Sequence, residues 1–133
     1  MPGNLLFDAS SLVYALKLKK LEVLYDNYTQ WLAVYEVVNA LWKEASLTGT
    51  LSLGEALKLV EIFTETLEYM NILSPHPYER AILALANKLK ISAYDASYIV
   101  LAREKDLILV TEDDKLKAKA KNLVRTIGLN NIP

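Results

Sequence analysis

Two short apolar runs constrain this chain more than anything else in it. Leu5-Leu6-Phe7 ends in Asp8, and Leu107-Ile108-Leu109-Val110 ends in Thr111-Glu112-Asp113. Apolarity in both is continuous and not alternating, the pattern of a strand covered on its two faces, as in a parallel sheet. Three weaker runs, Gln30–Ala33, Tyr69–Leu73 and Leu123–Ile127, suit further strands. Between the runs the period turns helical. Leu53, Ala56, Leu57, Val60 and Leu67 recur at helix spacing, with Glu55, Lys58, Glu61 and Glu65 largely on the opposite side. A second helix is expected from Tyr78 to Lys88 behind the breaker Ser74-Pro75-His76-Pro77, and a third from Tyr35 to Leu47 closed by Thr48-Gly49. A fourth runs from an N-cap at Ser92 through Ala102. Strands alternating with helices in 133 residues predict one α/β domain, 1–133, of three layers with a mostly parallel sheet in the middle.

Hydrophobic residues make up 53% of the chain and charged residues 23%, which excludes a disordered chain. With 15 basic against 16 acidic residues there is no dominant field for a polyanion, so any nucleic-acid contact is local. The lack of cysteine removes disulfides, thiolate nucleophiles and cysteine-ligated zinc, and fits a reducing, cytoplasmic setting. MPGNLLFDASSLVYAL has no basic n-region, and no charge-free apolar run reaches about 20 residues, so neither a signal peptide nor a membrane span is expected.

In doubly wound sheets, ligands bind outside the carboxyl ends of the strands. Asp8 and Asp113 each follow an apolar run and project there. Asp95 falls in the first turn of the helix capped by Ser92. In TQWLAVYEVVNALWKEA, Glu36 stands at the start of a helix after a strand, with Asn39 one turn on. Each acid alone has an ordinary account, as a solvated strand end or a first-turn carboxylate complementing the helix dipole. Brought together, they repel and raise one another's pKa values, a conflict that a divalent cation resolves. Oxygen ligands without histidine or cysteine suit Mg²⁺ or Mn²⁺, ions that activate water and neutralise the charge developing on a phosphodiester.

FDASSLV, VYEVVNALWKE, AYDASYIVLA and LVTEDDKL resemble, in order and spacing, the four acidic motifs of PIN domains, in particular of the small VapC-like toxins of toxin–antitoxin pairs. The resemblance covers nearly the whole chain. It implies a flavodoxin-like fold with a sheet of about five strands. It also implies a Mg²⁺- or Mn²⁺-dependent endoribonuclease that hydrolyses RNA with a metal-activated water. Carried over by position, the catalytic, metal-binding acids are Asp8, Glu36, Asp95 and Asp113. Thr111 would bond a carboxylate or a metal water, and Asn39 would orient Glu36. Asp114 is a supporting neighbour in a run of three acids, where the T-x-D spacing favours Asp113. A homodimer and a cognate antitoxin, whose C-terminal segment wraps the toxin and reaches the active site, are further implications.

His76 is the only histidine, which excludes a histidine acid–base pair, and its place between two prolines points to the surface. Gly3, Gly49, Gly54 and Gly128 are scattered, so no phosphate-cradling loop exists. Lys115, Lys117, Lys119 and Lys121, like Lys17, Lys19 and Lys20, read as solvated faces that would also steer RNA phosphates. Trp31, Trp42 and Tyr98 lie in apolar surroundings and are expected in the core; Tyr25, Tyr28 and Tyr69 are open to base stacking or an interface. Leu41-Trp42 with Leu47 would offer a subunit contact or a groove for a partner helix. Competing readings are a PIN nuclease of RNA processing or decay, a non-catalytic binding protein on the same fold, and a phosphoacceptor receiver domain. The receiver needs an early acidic pair, where this chain has a lone Asp8.

Overall fold

A computed structural model describes residues 3–133. Strands β1 (Leu5–Phe7), β2 (Tyr28–Gln30), β3 (Asn71–Leu73), β4 (Ile108–Val110) and β5 (Thr126–Ile127) form one sheet in the order β3-β2-β1-β4-β5, parallel throughout. They are joined by helices α1 (Ala9–Leu18), α2 (Trp31–Lys43), α3 (Leu53–Leu67), α4 (Glu79–Leu89), α5 (Ala93–Glu104) and α6 (Asp114–Ala120). Crossovers are right-handed, and the first two step one way along the sheet while the last two step the other. Helices α1 to α3 therefore cover one face, and α4 to α6 the other. The packing agrees: α1 lies on α2 and α3, α4 on α5, and α6 against β5.

This is the three-layer α/β architecture that the alternating pattern predicts, with every strand parallel. The strand order is not that of flavodoxin, 2-1-3-4-5, because here both early crossovers run in the same direction. The two defining apolar runs become β1 and β4, side by side at the centre, with Phe7 opposite Val110. Leu5, Leu6, Phe7, Leu109 and Val110 are all buried.

Three expectations need correction. The second strand is Tyr28–Gln30, not Gln30–Ala33, and Trp31 already opens α2. Its inward residues are polar: Thr29 Oγ1 donates to the Phe7 carbonyl at 2.8 Å, and Gln30 Nε2 to Ser97 Oγ at 2.8 Å. Hydrophobicity therefore marked the neighbouring helix instead of the strand. Helix α2 starts before Tyr35 and ends at Lys43, where a π-helical turn, Glu44–Thr48, carries the chain to Gly49 in the left-handed region. Glu36 consequently lies in the second turn of α2, not at its start. The third correction is that Trp31 and Trp42 are 55% and 50% exposed, while Tyr98 is buried as expected. Helix α2 is apolar around most of its circumference, and only the Ala33, Val37, Leu41 stripe is buried. Leu41 is thus core, whereas Leu47 remains exposed.

Helix α5 is the opposite case, with Ala96 through Ala102 buried without a break. Ser92 caps it, its Oγ accepting from the Asp95 amide at 3.1 Å. Among the described residues no helix is long and apolar enough to cross a membrane.

Candidate functional site

The crossover direction reverses between β1 and β4, so the crevice at their carboxyl ends is where such a sheet accommodates a ligand. Asp8 leaves β1 there as the N-cap of α1. Its carboxylate is buried and fully engaged: Oδ1 accepts from the Ser11 amide at 2.9 Å and Ser10 Oγ at 2.7 Å, and Oδ2 from Thr111 Oγ1 at 2.5 Å. Thr111, the first residue beyond β4, also accepts from the Asp113 amide at 3.1 Å. One hydroxyl thus joins the first acid to the segment that carries the last. Ser10 tightens the same knot, accepting from the Glu112 amide at 3.0 Å.

Asp113 caps α6, its Oδ1 accepting from the amides of Lys115 and Leu116 at 2.9 and 3.2 Å. Asp114 points away, with a side chain 97% exposed and Lys117 Nζ 3.9 Å from it. Asp95 sits half-buried in the first turn of α5. Glu36, partly buried on α2, accepts from Tyr98 Oη at 2.7 Å. Asn39 is exposed one turn further along α2.

Burial and neighbouring charge raise three of the acids. Burial pushes the Asp8 carboxyl above its ordinary value, and bonds from Thr111, Ser11 and Ser10 pull it back. Burial raises Glu36 as well; the Tyr98 bond opposes this, while the charges of Asp8 and Asp95 add to it. Asp95 is raised by burial, then by Asp113 and by Asp8. The Tyr98 phenol is driven far upward by burial and by Glu36, so it stays a neutral donor.

As the side chains stand, no three acidic or histidine groups among the described residues converge closely enough to hold one ion. Asp8 is committed to three hydroxyl and amide donors, and Asp113 to the amides of its own helix. The donor set still fits a hard divalent cation, being four carboxylates and a threonine hydroxyl with neither sulfur nor imidazole. His76 is away on the surface, as expected, paired with Glu79.

Beside the acids opens a cleft of about 870 Å³, lined by Leu32, Tyr35, Val38, Trp42 and Tyr94 with Glu36 and Asn39 on its wall. Sequence reasoning missed Ser10 and the hydroxyl of Tyr98. The first stood inside FDASS, and the second three residues after Asp95, a spacing that shares a helix face.

A doubly wound parallel sheet with Asp8 and Asp113 at the carboxyl ends of its two central strands defines the class: a three-layer α/β domain with acidic side chains at its switch point. The chain belongs to the PIN domain family, which it matches over residues 5–122. It is 35% identical to Exonuclease VapC9 of Pyrobaculum aerophilum, over 93% of this chain and 91% of that one. It is 38% identical to Ribonuclease VapC3 of the same organism, over 73% of each. Among solved structures it resembles PAE2754 from Pyrobaculum aerophilum, with a TM-score of 0.80 and 30% identity over 98% of this chain and 93% of that one. DNA-bound VapBC from Salmonella typhimurium shares the fold, with a TM-score of 0.64 at 12% identity over 96% and 98% of the two chains.

Proposed function

We propose that this chain is a Mg²⁺- or Mn²⁺-dependent ribonuclease and the toxin half of a toxin–antitoxin pair. The observation that carries the reading is the crevice itself. Asp8, held by Thr111 across the switch point, lies with Asp113 at the carboxyl ends of β1 and β4. The charges of Asp8, Asp95 and Asp113 reach the half-buried Glu36 and Asp95 from neighbouring elements. These four would hold the cation, with Thr111 fixing Asp8 and Asp113 relative to each other. A divalent ion bound there supplies the charge that activates water and offsets the negative charge growing on a phosphodiester. The protein's own part is to bury Asp8 away from bulk water and to fix it with donors from Ser10, Ser11 and Thr111, which oppose the effect of that burial. Lys115 and Lys119 on α6, and Lys17, Lys19 and Lys20 at the end of α1, are exposed and suit RNA phosphates.

The apolar cleft on α2 has the chemistry of a seat for an inhibitory antitoxin segment. Its aromatic and aliphatic lining takes apolar anchors, while Glu36 on its wall, with the charge of Asp95 acting on it, attracts a basic group that would occupy the crevice. A homodimer is part of the same reading, and the exposed Leu47, Leu53 and Leu57 offer it a surface.

The test is cleavage of linear and circular RNAs in EDTA, Mg²⁺ and Mn²⁺. Cutting of circles that needs the cation supports an endoribonuclease. The name of the 35% identical relative favours a second reading, cleavage from chain ends. Digestion of linear RNA with circles untouched would select it. No metal-dependent cutting of either substrate would leave the binding-protein reading in place.

A further inference from the structure

We propose that Tyr98 is a positioning residue of the acid cluster: from the buried body of α5, its hydroxyl holds the Glu36 carboxylate of α2 beside Asp8 and Asp95. The inference rests on the metal-dependent reading above and concerns how the four acids come to be gathered before a cation arrives.

The acids differ in what restrains them. Asp8 and Asp113 are helix N-caps, bonded to backbone amides, and Asp95 is a short side chain in the first turn of a buried helix. Glu36 has none of these supports. It lies in the second turn of α2 on a longer side chain, and two neighbouring carboxylates repel it. Its hydrogen bond from Tyr98 Oη, at 2.7 Å, keeps it from swinging into solvent. The donor is rigid because the Tyr98 ring is 2% exposed within the packed helix. Asp95 and Tyr98 stand three residues apart, so one face of α5 carries the third acid and the support for the second.

The chemistry of the donor matters too. A lysine or arginine in this place would neutralise Glu36 and compete with a cation for it. A neutral phenol orients the carboxylate and leaves its charge available.

The experiment is titration of Mn²⁺ alone, followed by electron paramagnetic resonance of the free ion, against wild type, Tyr98→Phe, Glu36→Gln and the double variant. Tyr98→Phe should bind Mn²⁺ about 10-fold more weakly, the lower end of what loss of a supporting group costs a metal site. The phenyl ring remains, so circular dichroism and thermal unfolding should report an intact fold. On the Glu36→Gln background the same change should add nothing, because the partner is already gone. Unchanged Mn²⁺ affinity in Tyr98→Phe overturns the proposal while leaving the metal reading intact. An equal loss on both backgrounds overturns it as well, by showing that Tyr98 acts elsewhere. If wild type itself binds no Mn²⁺, the metal reading fails and this proposal fails with it.

Discussion

Helices α2 and α5 each bring one acid to the same crevice, and they do it by opposite means. Helix α5 is buried along seven consecutive residues, Ala96 to Ala102, so the Asp95 backbone is as fixed as the core. Helix α2 buries only Ala33, Val37 and Leu41 and leaves Trp31 (55%), Tyr35 (76%), Val38 (44%) and Trp42 (50%) open. A helix apolar all round is ordinarily a buried one. Helix α2 is apolar around most of its circumference, broken only by Glu36, Asn39 and Lys43, yet half bare, so its apolar outer face is not used by this chain's own core. One helix is a foundation, and the other is also a surface.

Four measurements break or sharpen this contrast. The largest effect belongs to Asp95→Asn, which should keep the fold and lower kcat/KM on RNA by roughly 10³-fold, the scale of losing a group that acts on the reacting centre. Equal activity would remove Asp95 from the site. Next comes truncation in the two helices. Leu101→Ala in α5 should cost about 3 kcal/mol in urea unfolding, from lost burial and a cavity. Val38→Ala on α2 should stay within about 0.5 kcal/mol, as for an ordinary surface change. Comparable losses would make α2 a core helix after all. Third, Tyr35→Ala with Trp42→Ala should weaken capture of an antitoxin segment by about 2 kcal/mol in calorimetry and leave thermal stability alone. Undiminished capture would move the partner off this face.

The smallest effect is on pH. Asp8, Glu36 and Asp95 all have folded values above the ordinary carboxylate range, so in that window the folded chain binds more protons than the unfolded one. Without metal, their contribution is most favourable below ordinary carboxylate values and is lost as pH rises through the raised ones. Asp95→Asn should therefore melt above wild type at about pH 7 in EDTA, with the gap closing toward about pH 4. A gap of the opposite sign would mean that the acids do not strain one another.

How much of this was legible in the sequence follows from the same contrast. Continuous apolar runs declared β1 and β4, and the Ser92 cap declared the start of α5, because those signals are local. The second strand was hidden because Thr29 and Gln30 are buried as hydrogen-bonding groups, and their partners lie on β1 and α5. The two tryptophans were misplaced because apolar neighbours in sequence do not reveal which side of a helix meets the sheet. The acids themselves stood out by spacing. Their supports did not, since Ser10 is one serine of a pair and Tyr98 reads as a core aromatic until its hydroxyl is seen against Glu36.

The bond between Asp8 and Thr111 joins residues 103 positions apart. During synthesis, β1 can pair with β2 early, but its other edge waits for β4 to leave the ribosome. A nascent chain stopped before β4 carries Asp8, Glu36 and Asp95 yet has neither the clamp on Asp8 nor the fourth acid. The site is thus completed only once β4 has paired with β1 and brought Thr111 and Asp113 to Asp8, which ties the onset of any activity to the closing of the sheet's centre.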